Sequence, residues 1–574
     1  MTKRIVKTDT CMKKAAPRVL RAVLPCGVLL WCAAFAAAVP FGVPAGAQRV
    51  IKTSSPVYDA LAALALDSGR LPFAVNGPAT AGELRRYLDA IPYESLSSVG
   101  RYDYALVLQE LSRPVSGISW DGFISLGTEA AVSIDGYVKS NAAIGWQYEW
   151  KNRDPFFLLP LVVSAGDYLT LETSASVGIY EGAALRHFNF TNIPLRMDTL
   201  DGNFPHDAYA SVGFQHDGRH FLNFQIGRGS LNIGRTAMGS IIISDYMRDV
   251  SYAKISLFSP RLRFSSYVTQ HAVNKYFYFH HFEVRPADWF SVSMLEGVMV
   301  NAPLELRYLN PMMIFHGFGA WRDYDAYNAD MGNGSHPAGD SRVGSYLAFT
   351  VDARPCAYTR LYGLFAMNQF QLKFEIENDP AALAVPNSLG FQGGVESIVP
   401  LKSGYLTVNG EFVYTMPWFY VSRDKEWSLV SERTEFYRGG SPLLSWIGSP
   451  FGPDTIACQI GASYGEYGDW KAGVRYRFTV HGENGKNVFE KDHYYPTTVE
   501  EAQASTPTGT PEYSHAVMLS GEKTLFPGIS VQTGCGVSHY LNKDNVRGNT
   551  QTGFEASVSL RIRPYEAYRT DGVQ

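Results

Sequence analysis

From Pro114 to Arg563, apolar side chains recur with a period of two rather than the 3.6 of a helix. Within Phe554–Arg563, the residues Phe554, Ala556, Val558, Leu560 and Ile562 alternate with Glu555, Ser557, Ser559, Arg561 and Arg563. Gln369–Glu377 alternates as strictly, setting Phe370, Leu372, Phe374 and Ile376 against Gln371, Lys373 and Glu375. Successive side chains of a strand point to opposite faces, so each such stretch predicts a strand with one oily and one polar face. Gly122–Ile134, Leu169–Ile179, Phe221–Gly227, Arg261–Val268, Leu406–Tyr414, Val474–Val480 and Ile529–Val537 read the same way. Turn signals punctuate them at Asp201-Gly-Asn203, Asp217-Gly218 and Asn484-Gly485, and longer polar stretches run over 321–342, 418–454 and 482–513.

The front of the chain bears on what the oily faces meet. Seven basic residues precede an uncharged run from Ala22 to Ala47 that ends in Ala45-Gly46-Ala47, the pattern of a secretion signal with its cleavage site. Residues 1–47 are thus expected to be removed. Seven of the 50 Lys and Arg residues but only Asp9 of the 54 Asp and Glu residues lie there, leaving about ten net negative charges beyond it. Such a balance argues against nucleic acid as a partner, because those proteins need a basic footprint. Only Cys356, Cys458 and Cys535 remain, too few and too far apart for a disulfide framework or a Cys-x-x-Cys site, although one pair could form.

Residues 48–114 have helical period. Ser55-Pro56 starts a run carrying Val57, Leu61, Leu64 and Ala65 until Gly69 stops it. Thr80-Ala-Gly-Glu83 forms a capping box ahead of Leu84, Tyr87, Leu88 and Ile91, and a third helix is predicted over Val99–Leu111. This makes a small helical bundle followed by residues 115–563, all strand.

An exported chain that alternates throughout, with no later apolar run long enough for a membrane helix, can close its sheet into a transmembrane barrel of outer-membrane type. The competing arrangement is a soluble sandwich with its charges in solvent. Arg475, Arg477, Glu555, Arg561 and Arg563 suit a wet lumen, and 34 Tyr, 33 Phe and 10 Trp supply interfacial girdles, with Tyr405 and Tyr414 as examples. The expected fold is an all-β barrel of about 18 antiparallel strands, range 16–20. Phe370, Leu372, Phe374 and Ile376 would then face lipid.

Several segments could carry chemistry. Gly461-Ala-Ser-Tyr-Gly465 matches the G-x-S-x-G pattern of a nucleophile elbow, but it lies in an alternating stretch and reads as plain strand. No H-E-x-x-H, Walker A or G-x-G-x-x-G motif is present, and His271, His280 and His281 have no ligand-spaced partners. The loop with Trp321, Asp323, Tyr324, Asp325, Tyr327, Asn328 and Asp330 offers oxygen ligands but lacks the glycine and closing glutamate of an EF-hand. Its carboxylates and rings suit sugar hydroxyls and the apolar face of a pyranose. Trp427, Arg433 and Arg438, mixed with Glu426, Glu432 and Glu435, could pair with an acidic glycan.

Three stretches carry a resemblance. Gly227-Arg-Gly-Ser-Leu-Asn-Ile-Gly-Arg235 runs into Met238-Gly-Ser-Ile-Ile-Ile-Ser-Asp245; Tyr58–Leu61 leads through Leu66–Gly69 to Glu83-Leu84; and Leu306-Arg-Tyr-Leu-Asn-Pro311 leads to Phe315. In these the chain resembles the capsule assembly Wzi family. The resemblance implies an eighteen-stranded outer-membrane barrel, closed at its periplasmic end by an N-terminal helical bundle and acting as a lectin rather than an enzyme. It also implies lipid and surface polysaccharide as partners, a monomeric state, and no cofactor or metal. A porin for small solutes is the alternative. Residues 564–574 form a tail after the last strand.

Overall fold

The computed structural model describes residues 42–43, 46–73, 76–147, 153–178, 191–194, 205, 207–247, 249–315, 343–378, 383–434, 442–485, 488–490 and 494–564. Its strands form a closed antiparallel barrel of 18 strands. Ile124–Thr128 and Ala131–Lys139 together make the first strand, and Gln551–Ile562 makes the last. Closure comes from pairing the two, Glu555 with Lys139 through to Ile562 with Val132. Val115–Trp120 hairpins onto Ile124–Thr128 beside this seam. Gly42–Val43, ahead of the expected cleavage point, lie against Val115–Ser116.

The wall reverses the polarity of a soluble protein. Along Val250–Phe258, Tyr252, Lys254 and Ser256 are buried, whereas Ile255 and Leu257 are 39% and 43% exposed. The same reversal recurs at Phe349 and Val351, Val408 and Phe412, Val517 and Leu519, and Phe554 and Val558, all exposed apolar residues on the outer face. A band of this kind is stable only against hydrocarbon.

The two ends differ. At one, every hairpin turns in two or three residues, as at Asp217-Gly218, where φ values of 49° and 70° give the twist-matched turn that glycine tolerates. The other end carries the connections 230–249, 302–342, 416–454 and 482–511.

Three helices sit at the short-turn end: α1 (Val57–Asp67), α2 (Ala81–Asp89) and α3 (Ser98–Leu111). Leu61, Leu64, Leu84, Leu88, Val107 and Leu111 form their common core. Tyr405 is buried against this bundle and donates from its hydroxyl to Asp67 at 2.8 Å. It is therefore an inward strut and not the girdle residue that its place in the sequence predicted. Thr80 caps α2 by accepting from the Glu83 backbone at 3.1 Å. The reciprocal half of the expected box is replaced: the Glu83 carboxylate lies 3.2 Å from Arg263 on the barrel wall. A buried guanidinium competes better for that carboxylate than a backbone amide does.

Eight of the nine stretches predicted as strands lie mainly in strands, with Ile179 outside the described residues, and Gln369–Glu377 does not. Thr359–Gln369 ends where Gln369 meets Ser388, the first residue of the next strand, and Lys373–Asn378 forms a six-residue helix. With no backbone left to pair with, alternation alone cannot hold an extended chain. Phe370, Leu372, Phe374 and Ile376 therefore belong to a loop-end segment, not to the lipid-facing wall.

Candidate functional site: a plugged lumen beneath the long-loop face

The first resembling stretch does not continue as wall. After Arg219–Gly229 the chain turns into the barrel, and Leu231, Ile233, Met238, Ile241, Ile242, Ile243 and Met247 are all buried there. Inward-facing Tyr252, Tyr267, Phe277, Phe279, Tyr346 and Tyr362 surround them. A hydrophobic run inside a lumen needs partners for its backbone groups, and the wall supplies them. Glu411 accepts from the amides of Ala237 at 2.7 Å and Met238 at 2.8 Å, Gln392 accepts from Ile241 at 2.9 Å, and the Tyr346 hydroxyl donates to the Ile241 carbonyl at 2.8 Å.

Arg235 fastens this plug at its lower end. Its guanidinium meets Glu396 of the wall in a fork at 2.8 and 3.1 Å, and Asp59 of α1 at 2.8 Å. Burial disfavours its charge, but Glu396 and Asp59 outweigh burial and hold the arginine firmly protonated. Residues 71–73 and 76–78 enter the lumen as well: Arg285 donates to the carbonyls of Leu71 and Pro72 at 2.6 Å each, and Arg263 to that of Asn76 at 3.0 Å. The lumen is thus obstructed from both ends by the chain itself.

At the long-loop end, residues 416–454 contribute Trp418, Phe419, Tyr420 and Val421, all buried, and a hairpin of Val430–Thr434 with Pro442–Trp446. Tyr420 stacks on Trp446, with ring centroids 5.8 Å apart, and Trp446 lies 5.6 Å from Phe489. These rings bind the loops to one another. Asp454, fully buried, does the same by polar means, accepting from the amides of Asn484 and Thr508 at 3.1 Å each.

Of the residues singled out for ligand binding, Trp427 is half-buried in the turn 424–428, between exposed Glu426 and the buried Ser428. The Tyr494 hydroxyl accepts from the Lys425 amide at 3.2 Å, which brings residues 494–495 beside that turn. Tyr495 donates to Gln369 at 2.9 Å, and burial raises its phenol above the usual range. The packing of Tyr494 and Tyr495 against Trp418, Trp446 and Phe489 was missed in the sequence, where the signal was a tyrosine pair inside a polar stretch. Arg433 lies in Val430–Thr434, opposite Leu443; Arg438, Trp321, Asp323, Tyr324 and Asp325, with Tyr327, Asn328 and Asp330, lie outside the described residues.

Other motifs find structural uses. Gly461–Gly465 runs inside the regular strand Thr455–Glu466, with Ser463 opposite Thr407 and Gly473. His281 hydrogen-bonds Asn76 at 3.2 Å, and His280 stacks on Phe315 with centroids 4.4 Å apart. That last contact shows what the stretch from Leu306 to Phe315 does: Tyr308 and Phe315 cover outward-facing Tyr278 and His280 near the long-loop rim. Cys356, Cys458 and Cys535 are free. Among the described residues, no group of His, Cys, Asp and Glu could hold a metal ion.

No protein-family model matches the chain. No curated protein matches it either. Among solved structures it is similar to Wzi of Escherichia coli, an outer-membrane, carbohydrate-binding β-barrel involved in group 1 capsule assembly. The identity is 13%, the TM-score 0.54, and the match covers 89% of this chain and 99% of that one. Pseudomonas aeruginosa OprD (11% identity, TM-score 0.37, 78% and 97% covered) and the Acinetobacter baumannii channel DcaP (9%, 0.33, 78% and 99%) are more distant in shape. The chain therefore has the fold of Wzi, a closed barrel of outer-membrane type.

Proposed function

We propose that this protein binds or anchors surface polysaccharide at its long-loop face, without covalent chemistry, as a monomeric barrel in the bacterial outer membrane. Its short turns and three helices would lie in the periplasm and its long loops outside, the usual orientation for such barrels. The observation that carries the reading is the plug: residues 230–247 occupy much of the lumen with buried apolar side chains and use the Glu411 carboxylate and the Gln392 amide of the wall to satisfy their own backbone. A barrel so filled is built to present its loops and poorly suited to pass solute. The half-buried Trp427, in the turn whose Lys425 amide meets the Tyr494 hydroxyl, would offer ring surface of the kind that pyranoses stack on, and exposed Arg423 in the same loop brings positive charge. The carbohydrate-binding description of Wzi agrees with this use of the fold.

The test combines two measurements on the purified protein. Reconstituted in a planar bilayer, it should be nearly silent, and on an array of bacterial glycans it should bind a restricted set. Steady ohmic conductance with no glycan bound would instead assign it to the channels.

A further inference from the structure

The plug does not fill the whole lumen. Beneath it, at the short-turn end, lies a cavity of about 370 Å³ between α1 and the wall. Small-molecule sites span roughly 300–1,000 Å³. The strands bounding it turn small groups inward: Thr407 is opposite Ser463, Ser463 opposite Gly473, and Gly473 opposite Ser520. Ser520 and Glu522 are exposed, although Val517 and Leu519 take the outer face of that strand. A lumen-facing residue that remains exposed borders open, hydrated space. The opposite wall, with Tyr252, Phe277 and Tyr346 inward, is the part occupied by the plug.

The lining excludes some ligands. It carries six carboxylates against four cations. Two of the carboxylates, Glu396 and Asp59, already hold Arg235, and Lys471 lies 3.9 Å from Asp59. No cationic patch is left for an anion. Between the charges stand the hydroxyls of Thr407, Ser463 and Ser530 and the amide of Asn409, with the rings of Tyr405 and Tyr467 on the same cavity. Asn409 Oδ1 is buried and has no hydrogen-bond partner in the protein. A ligand hydroxyl donating to it would supply the partner it lacks. Hydroxyls and amides both donate and accept, which matches the hydroxyls of a sugar.

We propose that this chamber binds a neutral mono- or disaccharide through Thr407, Asn409 and Ser463. It lies at the opposite end from the loop face and does not depend on polysaccharide binding there. The sugar would be either free in solution or the end unit of a longer chain.

The experiment is calorimetric titration of the full-length protein, folded in lauryldimethylamine oxide. The probes are glucose, galactose, mannose and N-acetylglucosamine, with maltose, lactose and chitobiose, and glucuronate as the anionic control. At least one neutral sugar should bind saturably with Kd on the order of 1 mM, and glucuronate more weakly than glucose. Ser463→Trp, which fills the chamber, should weaken binding at least tenfold while the gel shift between boiled and unboiled samples persists. Thr407→Val, which removes a hydroxyl without adding bulk, should weaken it severalfold and serves if the tryptophan variant does not fold. Maltoheptaose binding as well as maltose would point to a chain end, and its rejection to a free sugar; either supports the site. Saturable binding of none of the neutral sugars, preference for glucuronate, or full binding by a folded Ser463→Trp variant would overturn it.

Discussion

Glu83 of α2 and Arg263 of the barrel wall lie 3.2 Å apart, and neither side chain is more than 2% exposed. Tyr87, one helical turn on, donates to the same carboxylate at 3.2 Å; burial, with Glu83 beside it, raises its phenol and keeps it a donor. The pair joins the helical bundle to the lumen. Removing one partner from a buried pair leaves an uncompensated charge and costs about 3–5 kcal/mol. Glu83→Gln and Arg263→Met should each destabilise the folded barrel on that scale, read as a lower temperature for loss of the gel shift. The double variant should recover part of the loss.

Arg235 ties the plug to both Glu396 and Asp59. Arg235→Ala should leave the barrel folded, because Ile241, Ile242 and Ile243 still anchor the upper plug. The lower turn would loosen, and brief openings should appear in planar-bilayer recordings where the parent is silent. Replacing residues 236–245 by a Gly-Ser linker should convert them to sustained conductance. A silent linker variant with a normal gel shift would mean that the segments 71–73 and 76–78 with the helices suffice to close the lumen.

In the proposed reading Trp427 would be an aromatic anchor of the loop face. Truncation of a binding hot-spot residue costs about 2 kcal/mol or more. Trp427→Ala should therefore weaken glycan binding by roughly thirtyfold, measured by titration with the glycan that the array selects, and leave the chamber's titration with small sugars unchanged.

The membrane-facing band gives a sharper contrast. Ile460 is 64% exposed on the outer face, whereas Ser520 faces the hydrated lumen. Arginine on the lipid face near the midplane costs about 2–4 kcal/mol. Ile460→Arg should lower the folded fraction in lipid vesicles, and Ser520→Arg should not.

Asp454 holds residues 484 and 508 through three donors, the two amides and the Thr508 hydroxyl. Asp454→Ala should speed proteolysis within 482–511 while the barrel's gel shift is retained.

The barrel was legible because its signal repeats. A single alternating stretch is weak evidence, as Gln369–Glu377 shows: it alternates as strictly as Phe554–Arg563, yet lies past the point where its strand loses a partner. Sustained over the length from Gly122 to Arg563, the same pattern predicted a closed sheet correctly. The helices were legible from local devices, such as Thr80 at the start of α2. The plug was not legible. Met238–Asp245 carries Ile241-Ile242-Ile243, which alternation reads as a fully buried strand, and nothing local says that it leaves the sheet for the lumen.

Period, charge and the basic-then-apolar opening are properties of neighbouring residues, and they favoured a barrel with a helical preface over a soluble sandwich. Which carboxylate answers which cation depends on residues far apart in the chain, as with Asp59, Arg235 and Glu396, or Glu83 and Arg263. Those distances exist only after the ring closes. The tertiary structure therefore decided that the lumen is stopped, where it remains hollow, and which side chains meet at each end.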